Sequence, residues 1–196
     1  MVSALRAHDV DLKEALAFLN TLEYEHGQPQ DAFATSMQAT AWLAERGLVH
    51  DDAVPTIGTS QAALRRVRRL RGALRELAEA SYDGRMPDAG ALAEVNRVLR
   101  ARGSLELVPI GDGLRLDHRH GRDPIGEALA RLAEPIVREI GEAPTGRLRP
   151  CANDACRWFF FDASRQGRRR WCDMTSCGNR AKAARHRARV RVGSAS

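Results

Sequence analysis

Apolar residues recur at helical spacing in five stretches of this chain and alternate in a sixth. Between Asp11 and Leu22, residues Leu12, Ala15, Leu16, Leu19 and Leu22 share one face, with Phe18 beside them. That pattern predicts an amphipathic helix that ends in polar Asn20-Thr21, where the apolar stripe would otherwise continue. Tyr24 to Ala34 holds Gly27 and Pro29 and reads as loop. Thr35 or Ser36 can cap a second helix, which carries Met37, Ala41, Trp42 and Leu43 and stops at Gly47. Asp51-Asp52, Pro55 and Gly58 mark another loop.

The third helix, about Ser60 to Ala80, has the core stripe Leu64, Val67, Leu70, Leu74 and Leu77. It also holds arginines at 65, 66, 68, 69, 71 and 75. At about 100° per residue, Arg68, Arg71 and Arg75 fall along one margin of the apolar face. This margin either lines an anion-binding groove or is a solvated face whose arginine stems cover apolar surface. A fourth helix over Asp88 to Ala101 turns Leu92, Val95 and Leu99 inward.

Leu105–Val108 and Leu114–Asp117 alternate, and Gly111-Asp112-Gly113 between them is hairpin turn chemistry. An isolated hairpin is marginal in water, so it is expected to pack on the helices. Asp123-Pro124 then opens a fifth helix with Ile125, Leu129, Leu132, Ile136 and Ile140 inward, a kink at Pro135 and an end at Gly141. Two prolines and two glycines from Gly141 to Pro150 read as a linker.

The expected fold is therefore α+β. A mainly helical N-terminal domain with a β-hairpin (1–142) is followed by a linker (143–150), a small four-cysteine finger of hairpin plus helix (151–191) and a disordered tail (192–196). The body shows no Gly-rich phosphate loop, no His-Glu helix motif and no recognisable nucleophile signature, and the chain is read as a non-enzyme. No stretch approaches the roughly 20 apolar residues of a membrane span. Met1 to Lys13 lacks the apolar core of a secretory signal, so a cytoplasmic location with no membrane partner is expected.

Charge changes the picture. Residues 1–146 carry 18 Lys/Arg and 22 Asp/Glu, a balance of −4, whereas residues 147–196 carry 13 and 3, a balance of +10. The same basic end holds every cysteine of the chain: Cys151, Cys156, Cys172 and Cys177. They form two pairs, with four residues inside each pair and fifteen between the pairs. In a reducing compartment that spacing indicates a tetrahedral Zn2+ site rather than disulfides. Trp158–Phe161 is a candidate strand, Arg169-Arg170-Trp171 a candidate return strand, and their aromatics a miniature core, with base stacking as the rival role for Trp158 or Trp171. After Cys177, Ala181, Ala184 and Ala188 line one narrow helix face between arginine-rich stripes. The candidate contacts to duplex DNA are Arg168, Arg169, Arg170, Arg180, Lys182, Arg185, Arg187 and Arg189, with RNA or a protein partner as the alternative.

The string Cys172-Asp173-Met174-Thr175-Ser176-Cys177-Gly178-Asn179-Arg180, with Lys182 and Arg185 after it, resembles the CGNR zinc-finger family. Cys151-x4-Cys156 followed by Trp158-Phe159-Phe160 and Asp162 is similar to that family's first half. Leu16 to Thr21, ending Phe18-Leu19-Asn20-Thr21, looks like the opening of the ABATE domain that commonly precedes this finger. The resemblance implies a bacterial, stress-induced transcription regulator. Its finger would bind DNA, and its N-terminal domain would sense a ligand or mediate homodimerisation. Asn20, Arg68, Arg71 and Arg75 are the candidate contacts to an anionic small molecule. An enzyme acting on such a molecule is the more distant alternative.

Overall fold

The computed structural model describes residues 10–25, 28–50, 53–111, 113–119, 123–142 and 146–183. Asp11 opens the first helix, α1 (Leu12–Leu19), its carboxylate accepting from the Glu14 N–H at 2.7 Å. The helix closes at Asn20, where the polar Asn20-Thr21 pair is expected to end it, and Leu22 starts a strand. The segment expected to be loop is a hairpin, β1 (Leu22–Glu25) against β2 (Gln28–Asp31), in which Leu22 faces Asp31 and Tyr24 faces Pro29. Two strands alone leave every residue at an edge, where a proline is tolerated.

Thr35 caps α2 (Ser36–Glu45) through a reciprocal box with Gln38. A short helix, α3 (Val54–Gly58), replaces the second expected loop, and the Ser36 hydroxyl donates to the Gly58 carbonyl. The long helix, α4 (Gln61–Asp83), is capped by Ser60 and stopped by Gly84, whose φ of 67° only a residue without Cβ adopts freely. Asp88 caps α5 (Ala89–Leu99). Here Val95 and Val98 are buried, whereas Leu92, expected to face inward, is 40% exposed.

The alternating segment forms β3 (Ser104–Ile110) and β4 (Gly113–Arg119), paired from Ser104↔Arg119 to Ile110↔Gly113. Although the hairpin is expected to pack on the helices, Leu107, Ile110 and Leu114 toward its turn are 62%, 54% and 71% exposed. Asp123 caps α6 (Pro124–Gly141) and also binds the Arg66 guanidinium. Helix α6 runs through Pro135.

Residues read as linker form β5 (Leu148–Pro150), which pairs antiparallel with β6 (Phe159–Phe161) in the cysteine-rich end. Phe18 and Leu19 of α1, Leu70 and Leu74 of α4, and Leu129, Leu132 and Ile136 of α6 are all inaccessible to solvent. Leu148 and Phe159 belong to this same core, so the basic end is packed into the body. No helix among the described residues is long and apolar enough to cross a membrane.

Of the arginine margin of α4, Arg71 and Arg75 are buried and Arg68 is exposed. Arg71 is 3% exposed and forms a two-pronged pair with Asp31, at 2.8 and 2.7 Å, while also donating to the Thr21 hydroxyl. Arg68 donates to the Phe33 carbonyl at 2.6 Å. Arg75 donates to the carbonyls of Leu19 and Arg157, both at 2.9 Å. These guanidinium groups thus fasten the β1–β2 hairpin and the cysteine-rich end to α4, and their donors are directed at protein acceptors.

Burial alone would raise the Asp31 carboxyl, but the Arg71 hydrogen bonds, the Phe33 N–H and the charges of Arg71 and Arg68 outweigh it and hold it below 3.8. A depressed folded-state value contributes stability above the unfolded value that is lost as pH falls through the folded one. Asp31→Asn is therefore expected to destabilise the protein at neutral pH. The gap from wild type should shrink as the solution is acidified below about pH 4. Urea unfolding of both proteins across that range measures it, and a gap independent of pH would contradict the pairing.

Candidate metal centre

The four cysteine sulfurs lie within 4.8 Å of one another. Cys156 and Cys172 are 3.7 Å apart, and Cys172 and Cys177 are 3.8 Å apart. Zinc–sulfur bonds of about 2.3 Å in a tetrahedron require sulfur–sulfur edges of about 3.8 Å, so these sulfurs fit a zinc ion. Cys151 and Cys177 are buried and the other two half-buried.

Each pair of cysteines is held by a tight local turn. Asn153 organises the first: its side-chain oxygen accepts from the Ala155 N–H, its carbonyl accepts from the Cys156 N–H, and its amide donates to the Cys177 sulfur at 3.5 Å. The chain then leaves through Arg157 at φ 55°, the sole non-glycine residue with positive φ among those described. Nothing in the sequence marks an arginine for that conformation. Its carbonyl is the acceptor that Arg75 holds from the body.

The second pair spans a wide helical turn, Met174–Gly178, closed by a Gly178 N–H to Asp173 carbonyl bond at 3.0 Å. The Asp173 carboxylate caps it, accepting from the Ser176 N–H and from the Thr175 and Ser176 hydroxyls. These bonds lower its pKa to about 2. Residues 179–183 continue as helix, and Asn179 donates to the Thr175 carbonyl.

The thiols cannot all ionise unaided. Hydrogen bonds from Cys156 and Cys172 lower the pKa of Cys151, and their bonds with Cys151 push Cys156 and Cys172 upward. A divalent cation at their centre would remove this conflict, because it stabilises every thiolate at once. Asp162, completely buried, closes the loop between the pairs. Burial raises its pKa, but bonds from the Ser164 hydroxyl and N–H and the Arg169 N–H outweigh that and leave it lowered.

The sequence-derived residues separate on this frame. Arg168, Arg170, Arg180 and Lys182 are exposed. Arg169 is half-buried, donating to the Cys172 carbonyl at 2.6 Å with its guanidinium 5.1 Å from the Phe160 ring. Arg185, Arg187 and Arg189 lie outside the described residues. Residues 169–171 do not form the return strand; a single bond from the Ala152 N–H reaches the Arg170 carbonyl, and β5 pairs with β6 instead. Phe159 and Phe160 are buried as expected of the miniature core, whereas Trp158 is 37% exposed.

Asn20 closes the junction between body and metal module. Its side-chain oxygen accepts from the Phe159 N–H at 2.8 Å and its amide donates to the Phe159 carbonyl at 2.9 Å. It thus replaces a neighbouring strand at one residue of β6. Sequence reasoning singled out Asn20 but not this partner, 139 residues away.

Two family models match the chain. One, described as "CGNR zinc finger", covers residues 147–190. The other, ABATE, described as "Putative stress-induced transcription regulator", covers residues 13–155. Their overlap falls on β5 and the first cysteine turn, the region where the structure joins body to module. No curated protein matches the chain. With 143 of its 196 residues under the first of these domains in chain order and its cysteine cluster under the second, the chain belongs to the ABATE family and ends in a CGNR zinc finger.

Proposed function

We propose that the protein is a zinc-dependent transcription regulator that contacts duplex DNA through its C-terminal module, with the body sensing a ligand or mediating dimerisation. The observation that carries this reading is the set of exposed basic side chains around the metal site, Arg168, Arg170, Arg180 and Lys182. They stand in a segment of balance +10, of which four zinc-bound thiolates would remove roughly 2. Two surfaces are combined there: a loop carrying Arg168 and Arg170, and a helix that starts at the second cysteine pair and carries Arg180 and Lys182. The metal fixes their relative position, which suits contacts to phosphates along a groove. Arg185, Arg187 and Arg189 extend the same basic sequence.

Phosphate contacts release counterions, so affinity should fall steeply with salt. Zinc-loaded protein is expected to bind duplex DNA with a log–log salt slope that drops by about 2 in the Arg168→Gln/Arg170→Gln variant. Fluorescence anisotropy at several salt concentrations measures it. Absence of salt-sensitive binding to any duplex, including the protein's own promoter region, would overturn the proposal. Tighter binding of single-stranded RNA in competition would move the reading to the RNA alternative.

A further inference from the structure

A crevice of about 640 Å³ lies between the outer face of α1 and strand β6 of the metal module. Leu16 and Trp42 of the body form one wall, and Trp158, Phe159 and Phe161 of the module form the other. The volume falls in the range of about 300–1,000 Å³ typical of small-molecule sites. It is distinct from the arginine margin, whose donors are turned to protein acceptors.

Its polar groups favour an uncharged occupant. The Asn20 amide is taken by Phe159, and the Thr21 hydroxyl donates to the Phe18 carbonyl and accepts from Arg71. The charges along its lining, Lys13 and Glu23, are of opposite sign and exposed to solvent, and the half-buried Cys172 at its module side has its sulfur in the four-cysteine cluster. A charged ligand in the interior would shed its hydration without gaining a partner. The interior instead offers aliphatic surface and aromatic faces. Trp158, 37% exposed at the module's edge, presents a ring that an offset-stacked partner would cover.

We infer that this crevice binds an uncharged, planar aromatic small molecule that bridges the body and the metal module. The inference rests on the reading of the body as the sensing part of a regulator and gives that part a place and a ligand class. Bound there, such a molecule touches both α1 and β6, the two elements that Asn20 already links. Ligand binding and the setting of the DNA-contacting module would then share one junction.

The test uses the zinc-loaded full chain and two dyes, neutral planar Nile red and anionic 1-anilinonaphthalene-8-sulfonate. Nile red should bind saturably, one per chain, with blue-shifted emission. Ala17→Trp, which places an indole in the crevice from the exposed side of α1, should weaken it about tenfold or more, and Ala17→Ser should leave it unchanged. Ala32→Trp fills the crevice from another lining position if Ala17→Trp does not fold, and zinc content with far-UV circular dichroism checks folding. The inference is overturned by unsaturable Nile red binding, by indifference to both tryptophans, or by tighter binding of the sulfonate. It is overturned equally if Leu107→Asp/Leu114→Asp on the exposed hairpin abolishes the signal instead. No DNA enters this titration, so its failure and a failure to bind DNA are separate results.

Discussion

Cys177→Ser is expected to abolish stoichiometric zinc and to unfold the module from Cys151 through the Met174–Gly178 turn, while the helices of the body persist. A hydroxyl does not replace a thiolate as a zinc ligand, and this sulfur is buried against Cys172 and the Asn153 amide. Segments of this kind have little core of their own and take their folding energy from the metal, about 10–16 kcal/mol for structural zinc in finger peptides at neutral pH. Elemental analysis, circular dichroism and amide exchange over residues 151–178 measure the loss. Full zinc in the variant, or none in the reduced wild-type protein, would defeat the assignment. The body should also melt at a lower temperature, because Leu148 and Phe159 belong to its core.

Arg75→Met should destabilise the protein by about 3 kcal/mol or more without removing zinc. Methionine fills similar space but leaves the carbonyls of Leu19 and Arg157 without the charged donors they now accept from. Each such bond contributes about 1.5–3 kcal/mol, and a buried acceptor stripped of its partner adds its own cost. The cation–aromatic contact of Arg75 with the Phe159 ring, at 4.8 Å, is lost as well. Burial pulls the guanidinium pKa below its usual value, and its network of carbonyls offsets the cost of holding that charge inside. Urea unfolding and zinc content, measured together, separate this staple from the metal site. A change below about 1 kcal/mol would show that the carbonyls find water instead.

The helices and the metal ligands were legible in the chain because their signals are local. Apolar residues at helical spacing marked every long helix, and Asp11, Thr35, Ser60, Asp88 and Asp123 capped the helices where their side chains could accept. Cysteine spacing alone indicated a tetrahedral site. The failures involve partners that are distant in sequence. Tyr24 to Ala34 read as loop because Gly27 and Pro29 break local patterns; Arg71, 40 residues away, fastens Asp31. Residues 148–150 read as linker because their pairing residues lie beyond the first cysteine turn.

The arginine margin of α4 shows the same division. Periodicity placed Arg68, Arg71 and Arg75 together, but it carries no information about what faces them. Only the folded chain turns them toward Phe33, Asp31, Leu19 and Arg157. Asn20 likewise carries a local signal as a helix end, whereas its two bonds to Phe159 exist only once β6 docks. By itself, then, the sequence determined the helices, the ligand set and the separation of charge, since each depends on spacing within a few turns or on residue type. Tertiary structure alone decided that body and metal module share one core, that the arginines act as staples, and that a crevice opens between α1 and β6. These depend on surfaces brought together from 35 to 139 residues apart, which no local pattern encodes.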